Sequence, residues 1–145
     1  MQVMEPTTVL TTVGGAITLA SKIATDLLPL VSAGSGAPRE FSVVETEVRT
    51  LCGTLQTVQA HFNPQLGDYT PELLEQLQSV SVRTKTTLDA LNAIISSQRA
   101  PEVFRKVSMA EVDRHRLTLA GCTSQLNVLV ATLCKYEEKL GPSMS

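Results

Sequence analysis

The chain has 145 residues, 43% hydrophobic and 18% charged, with a net charge of −2. That composition excludes a disordered polymer, and the charge excludes a global attraction to nucleic acid. Aromatics are only 3% and Trp is absent, so a core must be built from Leu, Val, Ile and Ala, which suits a helix bundle better than a β-sandwich.

The charge is uneven. Residues 99–145 hold seven Lys/Arg against five Asp/Glu, a balance of +2, while residues 1–98 hold five against nine, a balance of −4. Three cysteines (Cys52, Cys122 and Cys134), with no C-x-x-C pair, argue against a disulfide framework or a zinc site. They fit a reducing cell interior. The opening MQVMEP has no Lys or Arg and carries Glu5, so it lacks the positive lead of a secretory signal. The expectation is a cytoplasmic chain.

The first periodic stretch is VLTTVGGAITLASKIATDLL, residues 9–28. Val9, Val13, Ala16, Ala20, Ile23 and Leu27 share one helical face, and Leu10, Ile17, Ala24 and Leu28 widen it past half the circumference. A helix this apolar, placed at about 7–31, is a bundle wall or a membrane segment. Its twenty residues would extend about 30 Å, the thickness of a hydrocarbon core. Lys22 and Asp26 would each cost about 2.5–3.5 kcal/mol at mid-bilayer. The row Thr12-Ala16-Ala20-Ala24 lets helices approach closely, in lipid or in a soluble core. Gly14-Gly15 is not a phosphate loop, because the second Gly and the Lys-Ser/Thr are missing from the required spacing. Pro29 is expected to kink or end the helix, and residues 32–37, SAGSGA, read as a flexible joint.

The second pattern steps Phe41, Val44, Val48, Leu51, Leu55, Val58, Phe62, a heptad seam that predicts a helix at about 38–62 closed by Asn63-Pro64. The third steps Leu73, Leu77, Val80, Thr84, Thr87, Leu91, Ile94, with Leu74, Leu88 and Ile95 beside them, and predicts a helix at about 70–98. Thr70-Pro71 suits its start. Its Thr-rich middle, SVSVRTKTTLDA, weakens the helical signal. Pro101 is expected to start a short extra helical turn in the third connection, at about 101–106. The fourth seam runs Val112, His115, Leu119, Cys122, Leu126, Leu129, Leu133, Tyr136, Leu140, with Ser108-x-x-Glu111 as a capping box, and predicts a helix at about 108–140. Connections of roughly 6 to 10 residues join antiparallel neighbours. The fold class is therefore all-α, a single up-and-down four-helix bundle domain spanning the chain.

Catalytic apparatus is not visible. His61 stands near a helix end, and His115 takes a seam position with Glu111 one turn before it. A di-metal bundle needs Glu-x-x-His on two helices, and Glu111 to His115 has the wrong spacing and no second copy. The expectation is no enzyme, no metal and no cofactor. The basic set Arg99, Arg105, Lys106, Arg114 and Arg116 could meet lipid phosphates, each charge adding about 1 kcal/mol near an anionic surface. Glu102, Glu111 and Asp113 interleave it, which equally fits a solvated face.

Three stretches carry a resemblance. MEPTTVLTTVGGAITLASKIATDL resembles the opening of fungal HeLo-like domains, a short acidic, Pro-containing lead before a Gly/Ala-containing apolar helix. EVRTLCGTLQTVQAHF resembles their second helix with its Leu-rich seam. AEVDRHRLTLAGCTSQLNVLVATL resembles their late helix, an Arg-containing start before a Leu-rich run. HeLo-like domains are helical bundles at the N-termini of fungal STAND (NOD-like) receptors, similar in architecture to the four-helix domain of the necroptosis pseudokinase. The resemblance implies a cell-death effector that self-associates, frees its first helix and targets membranes. The membrane-facing residues would be Val9, Val13, Gly14, Gly15, Ala16, Ile17, Leu19, Ala20, Ile23 and Leu27. It further implies movement from cytoplasm to plasma membrane and a receptor or sensor domain as partner, with no nucleic acid and no small-molecule substrate. The heptads alone equally suit a non-lytic interaction module.

Overall fold

A computed structural model describes residues 5–32, 39–65, 69–96 and 109–140. They form four helices and no strand: α1 (Pro6–Ser32), α2 (Arg39–His61), α3 (Pro71–Ser96) and α4 (Met109–Leu140). The expected turn at 101–106 and the Ser108 half of the capping box lie outside these residues.

Local chemistry explains the ends and the interiors. Thr70 Oγ1 accepts a hydrogen bond from the Leu73 N–H at 3.2 Å, capping α3 one residue before Pro71. Asn63 Oδ1 accepts from the Gln65 N–H at 3.0 Å and turns the chain after α2. The Thr-rich middle of α3 is helical, and its two buried threonine hydroxyls bond on the same helix. Thr84 Oγ1 donates to the Val80 carbonyl at 2.7 Å, and Thr87 Oγ1 donates to the Arg83 carbonyl at 2.8 Å. Pro29 does not end α1, which continues to Ser32. A proline frees one carbonyl a turn earlier, a local loss that a helix near its end survives.

Every α2 seam residue from Phe41 to Phe62 is buried. Val9, Val13, Ala16, Ala20, Ile23 and Leu27 of α1 are fully buried against them, with Leu77, Leu88 and Leu91 of α3 and Leu126 and Leu133 of α4. His115 and Tyr136 are the half-buried members of the α4 seam.

Among the described residues, α1 packs on α2 and α3, and α4 packs on α2 and α3, while α1 does not touch α4 and α2 does not touch α3. Lys22 bonds Asn92, and Gln78 bonds Thr12, so α1 and α3 run parallel. Arg116 bonds Glu47, and His61 bonds Glu137, so α2 and α4 also run parallel. The helices alternate up and down, but α2 and α3 occupy opposite corners. The expectation of antiparallel neighbours therefore fails for this pair. A span of nine residues, reaching about 3.3 Å each, has ample length to cross the diagonal of a square with sides of about 10 Å.

Candidate functional site

The α1 surface was the expected membrane element, and its residues divide into two groups. Val9, Val13, Ala16, Ala20, Ile23 and Leu27 face the core, while Gly14, Gly15, Ile17 and Leu19 are half-buried at the rim. In the small-residue row, Ala16, Ala20 and Ala24 are buried and Thr12 sits at the edge. The row therefore serves close packing within the bundle.

The seam between α1 and α3 is partly polar. Gln78 Nε2 donates to Thr12 Oγ1 at 3.1 Å. Gln78 Oε1 and the fully buried Ser81 hydroxyl find no hydrogen-bond partner among the described residues. An unpaired buried polar group costs about 1–3 kcal/mol. The Lys85 side chain lies over Gly15, its Cε 3.2 Å from where a Cβ on that residue would sit. Leu or Val at these positions would weld the helices; a glycine and two orphaned polar atoms do not.

Lys22 and Asp26, the only charged residues of α1, form an ion pair. Lys22 Nζ donates to Asp26 Oδ2 at 2.7 Å and to Asn92 Oδ1 at 3.2 Å. On the other side, the Ser21 hydroxyl lies 3.5 Å from Cys52 Sγ of α2. These atoms border a surface groove of about 340 Å³ lined by Ser21, Ala24, Thr25, Arg49, Cys52, Gly53 and Gln56.

The basic set does not come together as one patch. Arg99, Arg105 and Lys106 lie outside the described residues. Arg114 is exposed, 3.9 Å from Glu111. Arg116 is engaged: it reaches Glu47 at 2.7 Å across the α2–α4 boundary and Asp113 at 2.9 Å. The hydrogen bond with Glu47 raises the guanidinium pKa most, partial burial lowers it, and Asp113 adds a further rise. Arg116 is thus a clasp between helices, with little charge left for a lipid phosphate.

An aromatic cluster closes the end of the bundle where α2 and α4 finish. The Phe62 and Tyr69 rings stack at 5.0 Å, and Tyr69 meets Tyr136 edge-on at 5.0 Å. The Tyr69 hydroxyl accepts from the Asn63 N–H at 3.0 Å. Burial pushes the Tyr69 pKa up, against the pull of that N–H. His61 Nδ1 and Glu137 Oε1 lie 2.8 Å apart beside it. Sequence spacing assigns Tyr69 no role, since its partners come from two separate segments, residues 62–63 and Tyr136.

One helix among the described residues is long and apolar enough to cross a membrane, and it is α4. Its best 18-residue window within Ala110–Glu138 has a mean hydropathy of 1.4, and only 28% of that window is buried. The described part of α1 does not reach the same mark. Among the described residues no three His, Cys, Asp or Glu side chains converge as a metal site.

Comparison with protein-family models, curated proteins and solved structures finds no match.

Proposed function

We propose that this bundle is a HeLo-like effector domain of a fungal innate-immunity signalling protein, which self-associates and frees α1 to act on membranes, without enzymatic activity. The observation that carries this reading is how α1 is held. It is a 27-residue helix whose two charges neutralise each other at 2.7 Å. It rests on α3 through a seam with Gly15, an orphaned Ser81 hydroxyl and an orphaned Gln78 oxygen. Release exposes both polar groups to water, which offsets part of the cost of uncovering Val9, Val13 and Ile23. Pairing Lys22 with Asp26 lowers the penalty of carrying either charge into lipid.

A second reading has its own support. Ala16, Ala20 and Ala24 are consumed by packing inside the bundle, as in a non-lytic interaction module that keeps α1 in place.

Dye release from anionic liposomes separates the two. The effector reading expects release by the intact chain and loss of release in Ile17→Asp and Gly15→Glu, with helicity kept. Position 17 is half-buried, and a Glu at position 15 lies beside Lys85. Undiminished leakage from both variants contradicts a role for α1.

A further inference from the structure

The face of α4 turned away from the core carries a second heptad. Leu117, Gly121, Ser124, Val128, Ala131 and Lys135 recur in steps of 4, 3, 4, 3 and 4, and all are exposed. Leu117 is 76% and Val128 66% exposed, the two most exposed large hydrophobic side chains described. No charge interrupts the sequence from Leu117 to Cys134. A solvated helix face of this length ordinarily carries several charges, and a heptad seam is the pattern by which one helix meets another.

We infer that this face pairs with the same face of a second copy, antiparallel, about a twofold axis at Ser124. The partner is specified by the sequence's own symmetry. Leu117 and Ala131 both stand seven residues from Ser124, so each Leu meets a partner Ala. Ala120 and Val128 both stand four residues away, which again sets a large side chain against a small one. Asp113 and Lys135 both stand eleven residues away, so an opposite-charge pair closes each end. Asp113 is 51% exposed on its inward bond to Arg116, which leaves it accessible to a partner ammonium. An isologous contact needs this self-complementarity: if residue i meets j, then j meets i. A parallel pairing would set Leu117 on Leu117 and Lys135 on Lys135. The α3–α4 groove beside Val128, about 570 Å³ and lined by Glu72, Glu75, Arg83 and Gln125 among others, gives the partner helix a flank to settle against.

This inference rests on the self-association part of the proposed function and names its surface. The test is sedimentation equilibrium on the full chain, wild type against Leu117→Glu, Val128→Glu, Asp113→Lys and the double swap Asp113→Lys/Lys135→Asp. The wild type is expected to dimerise. Each single change is expected to give monomer with unaltered helicity, Asp113→Lys with a lower melting temperature as well because it also loses the bond to Arg116, and the double swap to restore the dimer. Ser124→Cys, in a background with Cys52, Cys122 and Cys134 replaced by Ala or Ser, is expected to cross-link to itself, and Leu117→Cys is not. A monomeric wild type overturns the inference, as does a dimer that survives both Glu variants or a self-cross-link at 117. So does a finding that the Glu variants lose only vesicle binding, which would make the face a lipid surface. A dimer on this face without dye release would instead count against the effector reading and leave the α4 contact standing.

Discussion

The Lys85 side chain lies across the backbone of Gly15, its Cε 3.2 Å from the position a Cβ would take. Gly14, one residue earlier, has open space around the same position. The two glycines therefore differ: one accommodates a neighbour, and the other only loosens the helix. Gly14→Ala is expected to stabilise the bundle by about 1 kcal/mol through helix propensity alone. A urea melt reads this as a higher midpoint with an unchanged slope. A fall in stability would place a neighbour against residue 14.

Ser81 is fully buried and its hydroxyl has no partner among the described residues. Ser81→Ala is expected to stabilise the protein by about 1 kcal/mol, since it removes a desolvated polar group without opening space. The gain should tighten the α1–α3 seam. Hydrogen exchange in α1 should slow, and liposome leakage should fall. Faster exchange in α1 would mean that the hydroxyl supports the seam.

Arg116 joins α2 and α4 through Glu47 and Asp113. Arg116→Gln is expected to cost about 1 kcal/mol, because the pair is partly solvated. The loss should shrink at high salt. A loss that is independent of salt would assign it to packing of the Arg116 stem.

Tyr69 has a pKa raised above its ordinary value near 10, chiefly by burial. The folded state therefore holds this proton longer than the unfolded chain. Its contribution is complete below pH 10 and is lost as pH rises through the elevated folded pKa. Tyr69→Phe is expected to lower stability by about 1 kcal/mol at neutral pH, through the lost partner of the Asn63 N–H. Above pH 10 the difference between the two proteins should narrow. A constant difference across the alkaline range would contradict the burial argument.

What was legible in the sequence was local and periodic. The α2 heptad from Phe41 to Phe62 needed only its own spacing, and all of it is buried. The Thr70 cap and Pro71 start of α3 could be read in the same way. The diagonal placement of α2 and α3 could not, because a helix's own spacing shows its apolar face and not which helix covers it. Nor could the fate of Arg116, whose partner Glu47 is 69 residues away. The outer stripe of α4 was present in the sequence but overlaid on a stronger core seam, so only burial separates the two. The α1 row shows the converse. Small residues at every fourth position suit lipid and soluble packing alike, and only their burial assigns them to the core here.

The central claim is that α1 leaves the bundle to act on membranes. The Ser21 hydroxyl lies 3.5 Å from Cys52 Sγ, so Ser21→Cys sets two thiols within reach of a disulfide between α1 and α2. The decisive measurement is dye release from anionic liposomes by this variant, oxidised and then reduced. The account predicts no release while the disulfide holds α1 down and wild-type release once it is reduced. Equal release in both states would contradict it.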